Sequence, residues 1–175
     1  MYNLNKIPTT DYNDFFQKVY FISIIKNIIK IADLDDTKKT ILDFGCGQKI
    51  LSKTLKNVKV LNYDIKEEFS DLKSYKNLKF DLIVFNHVLM YMRPEEISNL
   101  LDELREMNPN SKIIVGLGKQ NILSKIGKFL TGNRKAHENT MSTYKEQINI
   151  LLKKTTFLKK KSNIFFMTDI YYTKF

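Results

Sequence analysis

Apolar residues recur along the chain in two rhythms, one with the pitch of a helix and one of short unbroken runs, and the two take turns. Phe15, Val19, Ile22 and Ile29 fall at helical spacing, Phe16, Ile24, Ile28 and Ile31 widen the same face, and Lys18, Lys26 and Lys30 stay off it. This pattern predicts a helix over Asp11–Ala32 packed on a core. Thr40–Phe44 is a short apolar run around Asp43 that reads as a buried parallel strand, and Gly45 and Gly47 supply the turn after it. A short helix over Lys49–Leu55 and a second strand over Val58–Tyr63 follow. Phe80–Phe85 is the next strand. Pro94 then opens a helix whose Ile97, Leu100, Leu101, Leu104 and Met107 share one face, and Asn108-Pro109-Asn110 stops it before a strand over Lys112–Leu117. Thr143 and Glu146 form a capping box for a helix through Lys153, and Thr155–Lys160 and Asn163–Lys174 read as a closing pair of strands.

Strands alternating with helices predict an α/β fold, a mostly parallel sheet with helices on it and a strand pair at its C-terminal edge. Only Lys66–Lys79 separates the second strand from the next, too few residues for helix, strand and loops. The third strand is therefore expected to be short or missing. The 175 residues suit one domain over 1–175, with 1–36 as an N-terminal helical cap and 118–137 as an insertion. In that insertion Ile122, Leu123, Ile126, Phe129 and Leu130 lie on one helical face, with Lys119, Lys125, Lys128, Arg134 and Lys135 around it. A packed core helix, a lid and a membrane-facing surface all fit such a segment.

Composition narrows the classes. The best candidate for a membrane span, Val19 to Ile31, is broken by Lys26, Asn27 and Lys30, and Met1 to Asp11 lacks the features of a secretory signal. One cysteine, Cys46, permits no internal disulfide, and with two histidines it leaves no structural zinc set, so a metal-free protein of a reducing, cytoplasmic setting is expected. The formal charge of +10 comes from lysines scattered over almost every segment. Solvated surface lysine accounts for it, with an anionic partner as the alternative; nucleic acid is not favoured, because no basic cluster is interleaved with aromatics.

The chemistry gathers at the first strand. A strand, a glycine turn and a helix build the cofactor pocket of open α/β sheets, although D-x-G-x-G also suits a plain βα turn. A dinucleotide fingerprint needs a third glycine where this chain has Ile50, and Asp43 would repel a pyrophosphate held by the turn. A cationic ligand suits the acid better. Asp43, Gly45 and Gly47 match the Asp-x-Gly-x-Gly motif, which resembles the first motif of class I S-adenosylmethionine-dependent methyltransferases. Asp64 lies 21 residues on (64 − 43), near the spacing at which a strand-tip acid meets a ribose in doubly wound folds. F-D-L-I-V-x-x-x-V-L from Phe80 resembles the fourth-strand block of the same family, and the likeness extends over about Thr40 to Leu117.

The resemblance implies a single Rossmann-like, doubly wound, mostly parallel sheet with a reversed C-terminal hairpin strand, and S-adenosyl-L-methionine as cofactor, with Asp43, Gly45, Cys46 and Gly47 in its loop, Asp64 and Ile65 at the ribose, Asp71 and Leu72 at the adenine, and Asn86 at the strand tip. His87 and His137 are the candidate bases, each with an alternative as an ordinary loop histidine, and Tyr12, Tyr91 and Tyr144 are candidates for the substrate rim. The acceptor implied is a small molecule, a sugar or a lipid-linked glycan, with peripheral membrane contact through the insertion. A non-catalytic cofactor-binding module and an RNA-directed methyltransferase are the alternatives. An NAD-dependent oxidoreductase is disfavoured by Asp43 and Ile50.

Overall fold

In the computed structural model, which describes residues 15–35, 38–119, 140–163 and 166–175, the apolar runs pair into one six-stranded sheet. The strands β1 (Ile41–Phe44), β2 (Val60–Tyr63), β3 (Leu82–Asn86) and β4 (Lys112–Gly118) run parallel. The last two, β5 (Thr156–Ser162) and β6 (Thr168–Lys174), close the sheet antiparallel, in the order β2-β1-β3-β4-β6-β5. The central strands lack polar alternation because both of their faces are covered. Leu42, Ile83, Phe85, Ile113 and Val115 fill one face and Ile41, Val84 and Ile114 the other, none more than 1% exposed.

Helices supply the two outer layers. One face is packed by α1 (Phe15–Ala32) and α2 (Ile50–Thr54), the other by α3 (Pro94–Met107) and α4 (Tyr144–Lys154). Local signals start both outer-face helices. Pro94 stands at the first turn of α3 and Glu96 reaches back to the Arg93 N–H at 2.8 Å, while at α4 the Glu146 carboxylate accepts from the Thr143 N–H at 2.8 Å. The predicted helix start at Asp11, with Tyr12, and the amphipathic segment of the insertion beyond Lys119 lie outside the described residues.

The chain between Asp64 and Asp81 forms no strand, so the sheet ends at β2. What remains of a third strand is a short lean against that edge: the Asp71 N–H donates to the Asn62 carbonyl at 3.0 Å, and the Ser70 hydroxyl accepts from the Asp64 N–H at 3.2 Å. Aromatic packing closes the gap. The rings of Phe44, Tyr63 and Tyr75 lie 4.9 to 5.2 Å apart in mutual contact, and Tyr75, 8% exposed, ties back to α3 through Glu103 at 3.2 Å.

At the other side of the sheet Asp169 of β6 is 0% exposed and holds four donors. Lys119 and Ser162 bond one carboxylate oxygen at 2.7 and 2.6 Å, and Lys160 and Tyr144 bond the other at 2.8 and 2.7 Å. One carboxylate thus joins the exit of β4, both strands of the hairpin and the start of α4. Burial alone would raise its pKa, but the bonds from Lys119, Lys160, Ser162 and Tyr144 outweigh burial and bring it down to about 2. Because the folded value lies below the unfolded value of about 3.9, the stabilisation is present above pH 4 and lost as the pH falls through about 2. Urea titrations from pH 7 to pH 2 are expected to show that acid leg in the parent protein. Asp169→Asn should flatten the leg and lower stability at pH 7 by about 1.5–3 kcal/mol, the worth of hydrogen bonds to a charged group.

Candidate functional site

Asp43 arrives at the carboxyl end of β1 with Asn62 on one side of it in the sheet and Val84 on the other. The chain then turns sharply. The N–H groups of Gly45 and Cys46 both donate to the Tyr63 carbonyl, at 2.7 and 3.1 Å, which folds the loop back over β2. Gly45 takes φ +74°, and a Cβ there would stand 2.3 Å from a Val88 methyl, so no other residue fits without displacing that side chain. Two residues later the Gly47 N–H donates to Asp64 Oδ2 at 3.0 Å, while Asp64 Oδ1 accepts from the Lys66 N–H at 3.0 Å. The second-strand acid therefore already braces the glycine loop.

Above the loop lies a cavity of about 270 Å³. Its floor is Asp43, Gly45, Cys46, Gly47 and Gln48; its walls are Phe21, Ile25 and Ile28 of α1, Ile50 and Leu51 of α2, and Val84, Asn86 and His87 at the tip of β3. Asp43 is 4% exposed, and no hydrogen bond from a described side chain reaches its carboxylate. Burial, reinforced by the neighbouring Asp64 charge, pushes its pKa up to about 7. Asn86 leaves its side-chain oxygen buried without a hydrogen bond. A buried acid short of a partner on the floor of a mostly apolar cavity is chemically matched to a ligand that brings a cationic hydrogen-bond donor. The Cys46 thiol, pushed up to about 12 by burial and then by the nearby acids, is protonated and donates to the Phe69 carbonyl at 3.3 Å.

His87 sits at the cavity edge in the left-handed backbone region, φ 59°. Its N–H donates to the Gly116 carbonyl at 3.0 Å, and its ring lies so close to Gly118 that a Cβ there would be 3.1 Å from Cε1. Nε2 stands 3.0 Å from the Thr168 hydroxyl, which in turn stands 2.6 Å from the Tyr20 hydroxyl.

The tertiary structure thus gathers Asp43, Gly45, Cys46, Gly47, Asn86 and His87 around one cavity. Asp64 stands behind the loop it braces. Asp71 and Leu72 lie off the cavity with their polar groups engaged: Asp71 pairs with Lys49 and accepts from Asn62 Nδ2 at 2.7 Å, and the Leu72 N–H meets the Ser70 hydroxyl at 3.2 Å. Ile65 is 89% exposed. Tyr91 is an exposed residue of the turn after β3, and Tyr144 belongs to the buried Asp169 network. Tyr12 and His137 lie outside the described residues. The α1 wall, Thr168, Tyr20 and the glycines behind Asn86 and His87 carry no motif, and periodicity marks Phe21, Ile25 and Ile28 only as core.

The sequence pattern of the methyltransferase-domain family matches residues 16–118. No curated protein sequence matches the chain. Among solved structures the fold is similar to that of a magnesium protoporphyrin IX methyltransferase from Synechocystis PCC 6803 with bound S-adenosylhomocysteine, at 16% identity over 93% of this chain and 88% of that one, TM-score 0.64. A methyltransferase from Archaeoglobus fulgidus, described as dependent on S-adenosylmethionine, is similar at 15% identity over 94% and 100% of the two chains, TM-score 0.63. A mitomycin 7-O-methyltransferase is similar at 11% identity over 86% and 53%, TM-score 0.59.

A buried acid held near 7 has a cost for stability. Its folded pKa is above the unfolded value of about 3.9, so its favourable contribution is complete below pH 4 and lost as the pH rises through about 7. Asp43→Asn is expected to stabilise the ligand-free protein at pH 8 by on the order of 1 to 4 kcal/mol and by less than half as much at pH 5, part-way through the loss. Denaturant melts at the two pH values check this; equal effects at both would mean that Asp43 is charged throughout.

Proposed function

The chain belongs to the methyltransferase-domain family, and from that premise we propose that it transfers a methyl group from S-adenosylmethionine to a small-molecule acceptor. The observation that carries the reading is Asp43: an acid 4% exposed, without a hydrogen-bond partner among the described side chains, on the floor of a cavity behind a glycine turn. Phosphate would be repelled there. A ligand with an ammonium group and no phosphate supplies the missing donor and charge.

In this reading Asp43 would hold the cofactor's ammonium, and the glycine loop would let the backbone approach it. Asp64 keeps a carboxylate at the end of β2 for ribose hydroxyls, to which a charged acceptor bonds about twice as strongly as a neutral one. Phe21, Ile25 and Ile28 exclude water from that side. When bound, the cofactor supplies an activated methyl on a sulfonium, so the protein's work is to align the acceptor with it. His87, at the strand tip beside the cavity, is assigned to take the acceptor's proton where one must leave.

The acceptors named for the magnesium protoporphyrin IX and mitomycin enzymes support a small molecule as the class. Within that class an acidic or lipid-linked acceptor is favoured by Lys125, Lys128, Arg134 and Lys135 of the insertion.

S-adenosylhomocysteine is expected to raise the melting temperature while NAD and NADP leave it unchanged, since a ligand held only by the native state stabilises it by mass action. Calorimetry in buffers of different ionisation enthalpy should show proton release on S-adenosylhomocysteine binding at pH 6 that fades at pH 8, as Asp43 gives up its proton to meet the ammonium. Stabilisation by a dinucleotide alone would sink the reading.

A further inference from the structure

The outermost strand of the sheet, β5, carries charge and apolar surface that neither the core nor the cavity uses. From Gln147 to Thr168 the chain has five lysines and no aspartate or glutamate. Two of these lysines are committed, Lys154 to Asp102 and Lys160 to Asp169. Lys153, Lys159 and Lys161 are exposed and meet no acid among the described residues. Lys159 stands opposite Tyr172 and Lys161 opposite Ile170, which puts both on the α1 side of the sheet. On that side Asn27 of α1 donates to the Ser162 carbonyl at 3.2 Å, and the exposed Lys30, three residues along the same flank of the helix, extends the basic surface.

Apolar side chains stand beside these cations. Phe157 is 50% exposed, Leu158 36% and Leu152, near the end of α4, 44%. Leu158 owes its place to a bulge: Phe157 is opposite Thr173 and Lys159 opposite Tyr172, so Leu158 is an extra residue outside the ladder. Lysine on an edge strand is enough to discourage pairing with another strand. It does not account for a half-exposed phenylalanine and a bulged leucine on the same edge, because apolar surface there works against that protection. Cations beside apolar side chains complement a layer that is anionic at its surface and hydrocarbon beneath. Nucleic acid fits this edge less well, since it has no arginine to grip phosphate bidentately and offers leucines where bases would need rings to stack on.

We infer that the β5 edge is a docking surface for an anionic bilayer: Phe157, Leu158 and Leu152 enter the headgroup layer, and Lys153, Lys159 and Lys161 bind its anionic lipids. The inference goes beyond methyl transfer and does not depend on it. Both β4 and β5 run opposite to β6, so the lysine end of β5 lies at the rim of the sheet that carries Asn86 and Gly118.

The chain contains no tryptophan, so Phe157→Trp supplies a single reporter at the patch. Its emission should shift to the blue with vesicles of equal phosphatidylcholine and phosphatidylglycerol, and stay unchanged with phosphatidylcholine alone. Co-sedimentation of the full chain with the mixed vesicles should show binding that weakens as salt rises. Lys159→Gln with Lys161→Gln should weaken it about thirtyfold, roughly fivefold for each lysine withdrawn from an anionic surface. Phe157→Ser with Leu158→Ser should weaken it too, whereas Lys56→Gln with Lys59→Gln, which removes the same charge from exposed positions at the opposite, β2 edge, should leave most of it. Melting curves confirm that each variant is folded; if the serine pair does not fold, the tryptophan reporter and the lysine pair decide. No blue shift, binding that survives the loss of Lys159 and Lys161, or an equal loss in the Lys56 and Lys59 pair overturns the inference. So does single-stranded RNA bound in preference to the vesicles, or a dimer in sedimentation that the β5 substitutions dissolve.

Discussion

The buried carboxylate of Asp43 is the constraint around which the rest of the structure is arranged. A charge in that position is costly, and among the described residues neither a cation nor a side-chain donor reaches it; burial and the Asp64 charge together hold its pKa near 7. Asp64 cannot move away, because its two oxygens bind the Gly47 and Lys66 N–H groups that shape the loop. Two acids are thereby held at the carboxyl ends of adjacent strands, and a ligand that brings positive charge and N–H donors relieves both.

Everything that surrounds the acid follows from the sheet. Parallel strands with both faces covered place their carboxyl ends on one rim, and β1, β3 and β4 deliver Asp43, Asn86 with His87, and Gly118 to it in register. Val84 and Asp43 are direct neighbours across the pair, so the acid lies on the α1 face, where Phe21, Ile25 and Ile28 close the cavity. The reversed hairpin adds Thr168 to the same rim. It is anchored on its other face by Asp169, whose bonds to Lys119, Lys160, Ser162 and Tyr144 lock the strand end one residue away. Tyr144 thus acts in the scaffold that holds the rim.

The exposed edges of the sheet are managed differently. At β2 the missing strand is replaced by aromatic packing and by the Ser70 to Asp71 segment, which engages the edge with few hydrogen bonds. That segment turns Asp71 toward Lys49 and Asn62 and takes up the Leu72 N–H, so the two positions expected at an adenine lie off the cavity. At β5 the run Lys159 to Lys161 is exposed, and lysines on an edge strand discourage pairing with a second copy by charge repulsion.

Local chemistry in the sequence determined the alternation of strands and helices, the caps at Pro94 and Thr143, the shortened third-strand region and the turn at Gly45, because each depends on residues within a few positions of one another. The pairing of Asp43 with a glycine turn was legible for the same reason: backbone sterics and like-charge repulsion act at short range. Tertiary structure alone decided which groups meet across the chain. Thr168 lies 81 residues from His87 and 148 from Tyr20, and no periodicity announces that their hydroxyl, imidazole and phenol converge. The resemblance, not any local pattern, placed Asp71 at an adenine, and only the tertiary structure shows that its oxygens pair with Lys49 of the glycine turn and Asn62 of β2. Spacing reports where a side chain can be, whereas its partners depend on the register and packing of distant strands.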